Sequence, residues 1–352
     1  MDNKSLNNTL ILNTLKRQHL LVPNTSNLNV IKDLIGVQSQ YIRNSEYAIA
    51  IRTSKSIDEI ERNEIVKIWS LRGTLNLHLL SDIAPLVDIL QDEWFNRWGK
   101  YLSHQIDMDN RKKLHEITYN LILKGFNSRN LLKDECLRLD MDRQLIELSF
   151  SSWGGIFKDL NYLGKIMFCK YDTHDFSINT ISSYKEEKSI YILNLMKRYF
   201  KAYGPATLND FCYWSGITVC TAKKWIKEII HELKSIEVGN GIIYYYTYEN
   251  LIDDISKLPQ FLFLAGFDPI MVAYKNKDRF IDGLYLKEVF LRNGFIKNIL
   301  IRYGKTIGVW KINGHILEIN SFINLSSIEK SAIEDYAIKN PFLKFDKISI
   351  SY

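Results

Sequence analysis

Two glutamines one residue apart, Gln38 and Gln40, stand in Leu34-Ile35-Gly36-Val37-Gln38-Ser39-Gln40-Tyr41, where they close an apolar segment read as helical. A carboxamide is no useful base at neutral pH, but its oxygen accepts hydrogen bonds and its dipole can face a developing charge. A spaced pair can therefore hold an attacking water and favour a transition state that gains positive charge. The plainer reading is that both amides terminate the helix and bond its exposed carbonyls. From the residues alone both readings stand. Downstream, Trp69-Ser-Leu-Arg72-Gly73-Thr74-Leu75 presents Arg72, which either binds a phosphate or pairs with a carboxylate beneath the N-terminal unit.

A chain of 352 residues exceeds what one hydrophobic core usually supports, so two or more packed units are expected, and 46% hydrophobic residues suffice to build them. The net charge of +6 and sequence pI near 8.8 favour an anionic partner such as nucleic acid. Abundant Lys, Asn and Ile also fit an AT-rich coding bias, so the charge argument is modest. Cys136, Cys169, Cys212 and Cys220 form no C-x-x-C pair, and the histidines form no H-E-x-x-H. Neither a disulfide framework nor a metal site is indicated, and no cofactor is expected. The N-terminus carries no secretory pattern, and the longest apolar run, 261–267, is too short to span a bilayer. A cytoplasmic monomer is the expectation.

The elements that must position the glutamines recur as a unit, clearest in the middle of the chain. A helix over 186–203 stops before Gly204-Pro205. Thr207 caps a second helix whose stripe is Leu208, Phe211 and Trp214, ended by Gly216. Thr218 or Thr221 opens a third, with Ala222, Trp225, Ile226, Ile229 and Ile230 inward and Lys223, Lys224 and Lys227 outward. Strands 235–238 and 242–246 then flank the turn Gly239-Asn240-Gly241. Three helices followed by a β-ribbon is the winged-helix arrangement. The same order is read over 110–170, with helices at 112–123, 128–137 and 143–160 and a strand at 164–170. It is read again at the start, with helices at 5–21 and 27–36, a capping box Ser56 to Glu59, and a strand over 69–80. The amphipathic 82–103 segment bridges the first two units. From about Pro259 short alternating strands at 298–303, 305–311 and 315–320, with an Asn313-Gly314 turn, precede a helix over 326–340. The fold class expected is α+β: three tandem winged-helix units, 1–109, 110–184 and 185–257, then a small β-barrel-like domain, 258–352.

The chain also resembles a known family. Leu15-Lys-Arg-Gln18, Gly36-x-Gln38-x-Gln40, Arg72-Gly-Thr-Leu75, Tyr203-Gly-Pro-Ala-Thr207, Trp214-Ser-Gly216, Gly266-Phe-Asp268-Pro269, Lys275 to Gly283 and Asn293-Gly294 occur in an order similar to that of the AlkZ/YcaQ family, over nearly the whole length. That family comprises bacterial winged-helix DNA glycosylases with a C-terminal β-barrel, some protecting producers of DNA-alkylating antibiotics. The resemblance implies that Gln38 and Gln40 are the catalytic pair, since the family uses Gln-x-Gln or Gln-x-Asp there. It departs at Ser39, smaller than the family pattern, and at Asn76, where a histidine usually follows Arg-Gly-Thr-Leu; His78 lies two places on, on the same strand face.

The implied chemistry is coherent. An N7-alkylguanine or N3-alkyladenine is cationic and leaves without a general acid, through an oxocarbenium-like sugar. Monofunctional hydrolysis of such purines in duplex DNA is expected, with Gln38 and Gln40 placing water. Arg72, His78, Lys223, Lys224, Lys227, Tyr244 and Tyr246 are the candidate DNA contacts, the tyrosines because one face of their strand could stack at a lesion. Asp268-Pro269 and Arg279 are expected to shape the junction with the C-terminal domain. Two alternatives stand beside this: a non-catalytic winged-helix DNA-binding regulator, and an RNA-binding or scaffold protein in which both glutamines are replaceable.

Overall fold

The computed structural model describes residues 3–24, 26–55, 64–96, 107–151, 155–178, 188–238 and 241–352. Helix α1 (Asn3–Arg17) leads into α2 (Asn27–Asp33), which Ser26 opens by accepting a hydrogen bond from the Asn29 amide. Strand β1 (Val37–Gln38), helix α3 (Ile42–Thr53) and strands β2 (Ile65–Trp69) and β3 (Leu75–Leu79) follow, the strands forming a sheet ordered β1-β3-β2. The single strand expected over 69–80 is therefore two elements. Strand β2 ends at Trp69, and the chain reverses through Arg72 (φ 57°) and Gly73 (φ 71°) into β3. The expected capping box Ser56 to Glu59 lies outside the described residues.

Helix α4 (Ile83–Trp94) is the start of the expected bridge; residues 97–106 also lie outside the described residues. The next group is α5 (Met108–Leu123), α6 (Arg129–Leu137), α7 (Arg143–Ser149), α8 (Gly155–Tyr162) and the hairpin β4 (Ile166–Phe168) with β5 (Phe176–Ile178). The helix expected over 143–160 is thus broken. The Arg129 guanidinium donates to the carbonyls of Phe150 (3.0 Å) and Ser151 (2.6 Å), satisfying acceptors just past the end of α7 that a continuing helix would have used itself. The third group follows its sequence signals in order: α9 (Lys188–Ala202), α10 (Leu208–Ser215), α11 (Val219–Ile229), then β6 (Lys234–Val238) paired with β7 (Ile242–Tyr246). Ile230, expected inward, is 50% exposed just past α11, and Gly239 and Asn240 of the expected turn lie outside the described residues. Thr207 and Asp210 form a capping box on α10, and Gly216 ends it at φ 82°.

The C-terminal part contains β8 (Phe261–Leu264), α12 (Pro269–Val272), α13 (Leu286–Val289), β9 (Asn298–Arg302), β10 (Lys305–Asn313), β11 (Ile316–Ser321), α14 (Ser327–Ile338) and β12 (Lys347–Ser351). Its sheet runs β12-β11-β10-β9-β8, with β12 parallel to β11. Its two outer strands do not pair, so the sheet is open where a barrel-like closure was expected. Phe261, Phe263, Leu300, Trp310 and Leu317 pack beneath Ile333 and Ala337 of α14.

The groups share one interior. The largest core runs from Ile11 of α1 to Val309 of β10. Arg52 of α3 and Asp268, both fully buried, form a two-pronged ion pair at 2.7 and 2.8 Å. Arg279 donates to Thr14 Oγ1 (2.9 Å) and the Pro205 carbonyl (2.7 Å). Both residues thus sit at a junction with the C-terminal part, Asp268 also capping α12.

Candidate active site

The glutamines do not close a helix. Helix α2 ends at Asp33, and Ile35 (φ 58°) and Gly36 (φ 103°) turn the chain into β1. A Cβ on Gly36 would lie 2.4 Å from His78 Cε1, so only glycine admits this approach to β3. Gln38 then pairs with Asn76, and the Ser39 amide donates to the Leu75 carbonyl at 2.8 Å. Along an extended backbone alternate side chains share a side. Gln38 and Gln40 both line a cavity of about 730 Å³, while Ser39 is buried. Gln38 is 7% exposed; Gln40 is exposed, and its side chain makes no hydrogen bond among the described residues.

Three parts of the chain wall the cavity: Tyr41 and Thr74 beside the pair, Arg129, Lys158, His174 and Asp175 from the second group, and Phe267, Asn293 and Phe295 from the C-terminal part. Asn161 and Tyr162 of α8 fix the turn between β2 and β3 by donating to the Trp69 and Ser70 carbonyls. Tyr41, 46% exposed, has its ring centroid 5.4 Å from both Phe267 and Phe295. Phe267 holds φ 65°, an unusual conformation for a bulky residue, and it places the ring against Tyr41. Sequence reasoning missed this aromatic shelf, although Tyr41 adjoins Gln40 and Gly266-Phe and Asn293-Gly294 were among the quoted motifs.

Arg72 points inward and meets no carboxylate among the described residues. Its Nη2 donates to Gln38 Oε1 at 2.6 Å and its Nη1 to the Val272 carbonyl at 2.7 Å. Burial pushes its guanidinium pKa down.

His78 is 1% exposed, with Nε2 2.8 Å from Ser70 Oγ, and so cannot reach DNA in this structure. Asn76 is also buried, donating to the Thr74 carbonyl at 2.9 Å. Burial pushes the His78 pKa down to about 4, against 6.5 for a free histidine. Below pH 6.5 the unfolded chain therefore binds a proton the folded chain refuses. Stability from neutral His78 is full above pH 6.5 and is lost as pH falls toward 4, by about 3 kcal/mol in total. Urea unfolding at a series of pH values should show that loss in the native chain and a flatter profile in His78→Gln; parallel profiles would contradict it.

Tyr246 is buried against Tyr248, ring centroids 5.0 Å apart, and offers no open stacking face. Tyr244 is half-buried, 6.0 Å from the Arg279 guanidinium. Lys223, Lys224 and Lys227 are exposed on α11, with Ala222, Ile226 and Ile229 buried behind them. None of these three lysines lines the cavity.

The chain belongs to the AlkZ-like family of DNA glycosylases: the family model described as "DNA glycosylase AlkZ-like" matches residues 31–337. It is 24% identical over 347 residues to the "Interstrand DNA cross-link repair glycosylase" of Streptomyces sahachiroi, covering 91% of this chain and 92% of that protein. Its fold is that of the solved Streptomyces sahachiroi DNA glycosylase AlkZ, with TM-score 0.78, 20% identity, and coverage of 97% of this chain and 98% of that one.

Proposed function

We propose that this DNA glycosylase hydrolyses the N-glycosidic bond of cationic N7- or N3-alkylated purines in duplex DNA, with Gln38 and Gln40 holding the water. The observation that carries the reading is that both carboxamides open on one cleft large enough for a ligand; binding sites span about 300–1,000 Å³. In this reaction the water oxygen bonds to C1′ as the C1′–N9 bond breaks. The bonding pair neutralises the departing purine, and the surplus water proton passes to solvent. No general acid is needed, and a carboxamide oxygen at the pair can face the sugar as it gains positive charge. Tyr41, Phe267 and Phe295 supply a shelf on which a base or adduct ring can stack. The breadth of the cleft suits a bulky adduct or a crosslink.

The three helix-and-hairpin groups are read as tandem winged helices, divided near 109, 184 and 257, that track the duplex with exposed lysines such as Lys223, Lys224 and Lys227. The protein is read as a monomer acting in the cytoplasm. Among the described residues no helix is long and apolar enough to cross a membrane.

The test compares a duplex bearing N7-methylguanine with one bearing 7-deaza-7-methylguanine, its uncharged isostere. Release from the first and none from the second, at equal affinity, is expected. Equal release from both would mean that the protein activates the leaving group itself.

A further inference from the structure

The geometry points to Arg72 as the positioning residue that fixes which end of the Gln38 carboxamide meets the substrate, making Gln38 a hydrogen-bond donor to a nucleotide oxygen and leaving Gln40 to accept from the water. This rests on the glycosylase reading above and narrows it: of the two carboxamides, Gln40 alone then holds the water.

An arginine carries donors only, so the Gln38 atom 2.6 Å from Arg72 Nη2 must be the carbonyl oxygen, and the amide cannot be flipped. The bond is charge-assisted and short. The other prong of the guanidinium is spent on the Val272 carbonyl of α12. Behind it, Gly216 packs so closely that a Cβ there would lie 3.2 Å from the Arg72 backbone N and Cα. Three separate segments therefore hold the clamp: the turn between β2 and β3, the end of α12, and the loop between α10 and α11.

With Oε1 engaged, the free end of Gln38 is Nε2, which makes no hydrogen bond among the described residues on a side chain lining the cavity. Two N–H groups suit an acceptor oxygen of the bound nucleotide. The Gln38 oxygen is turned to Arg72, so the end it offers to the cleft is its N–H pair. Gln40 has no such partner, so its oxygen remains available for the water.

The experiment has two arms. In the first, single-turnover release from an N7-methylguanine duplex and duplex affinity across a salt series are measured for native protein, Arg72→Met, Arg72→Lys and Gln38→Glu. Glutamate can still accept from Arg72 but has no N–H to offer. Release should fall about 10- to 100-fold in Arg72→Met, less in Arg72→Lys, and about as far in Gln38→Glu as in Gln38→Ala, with affinity and salt slope unchanged. Weaker binding in Arg72→Met with a salt slope reduced by about one would make Arg72 a phosphate ligand instead and overturn the proposal. So would native-like release by Gln38→Glu.

The second arm needs no activity. In ¹⁵N-labelled native protein the Gln38 side-chain amide and the Arg72 guanidinium should give resolved, slowly exchanging signals, and Arg72→Met should move the Gln38 amide. An unmoved Gln38 signal overturns the clamp even if the native protein releases no base, a result that would by itself sink only the glycosylase reading.

Discussion

Gln38→Ala and Gln40→Ala should each lower single-turnover release of N7-methylguanine by about 100- to 1,000-fold while duplex affinity stays within about twofold. The size follows from what one preorganised dipole contributes at a reacting centre. The separation of rate from affinity follows from geometry: Gln38 is 7% exposed on the wall of the cleft, and the exposed lysines on α11 lie elsewhere. Asp175 lines the same cavity from the facing group. If Asp175→Asn abolished release while both alanine variants stayed active, a carboxylate base would be responsible and the glutamines would have only a structural role.

Arg52→Met and Asp268→Leu should each destabilise the fold by about 3–5 kcal/mol, the largest effect on stability expected from a single substitution here. Each removes one member of a fully buried, two-pronged pair and strands the other charge away from water. The pair also ties α3, which follows the strand bearing Gln38, to the segment that carries Phe267 and caps α12. The double substitution should recover part of the loss, since no charge is then left alone. Chemical denaturation of the three variants measures this; single substitutions within about 1 kcal/mol of the native chain would contradict it.

The third group was legible almost residue by residue, because its signals are local: the Thr207 cap, Gly216 in the left-handed region and the helical stripe of α11 act within a few positions. The pairing of β12 with β11 and the open edge of the C-terminal sheet were not, since partner choice and closure depend on contacts far apart in sequence. β8 has no alternation to read, being buried at all four positions. The glutamine pair was set in the wrong element, a helix end rather than a short strand. A two-residue strand has no periodicity, and what defines it is the register with Asn76 and Leu77 some 40 positions on. Arg72 was singled out with a phosphate or carboxylate partner in mind. Its partner within the protein, a carboxamide oxygen, is an uncharged group that no charge pattern marks. His78 and Tyr246 fell to the same limit: strand alternation says which residues share a face but not which face is covered.

The measurement that most directly tests the account is product analysis after incubation of the protein with a duplex containing one N7-methylguanine. The account predicts free N7-methylguanine and an abasic strand that stays intact until treated with alkali. Tight binding with no free base would contradict it and make the chain a DNA-binding protein without this activity. Free base accompanied by a cleaved strand would contradict the hydrolytic mechanism.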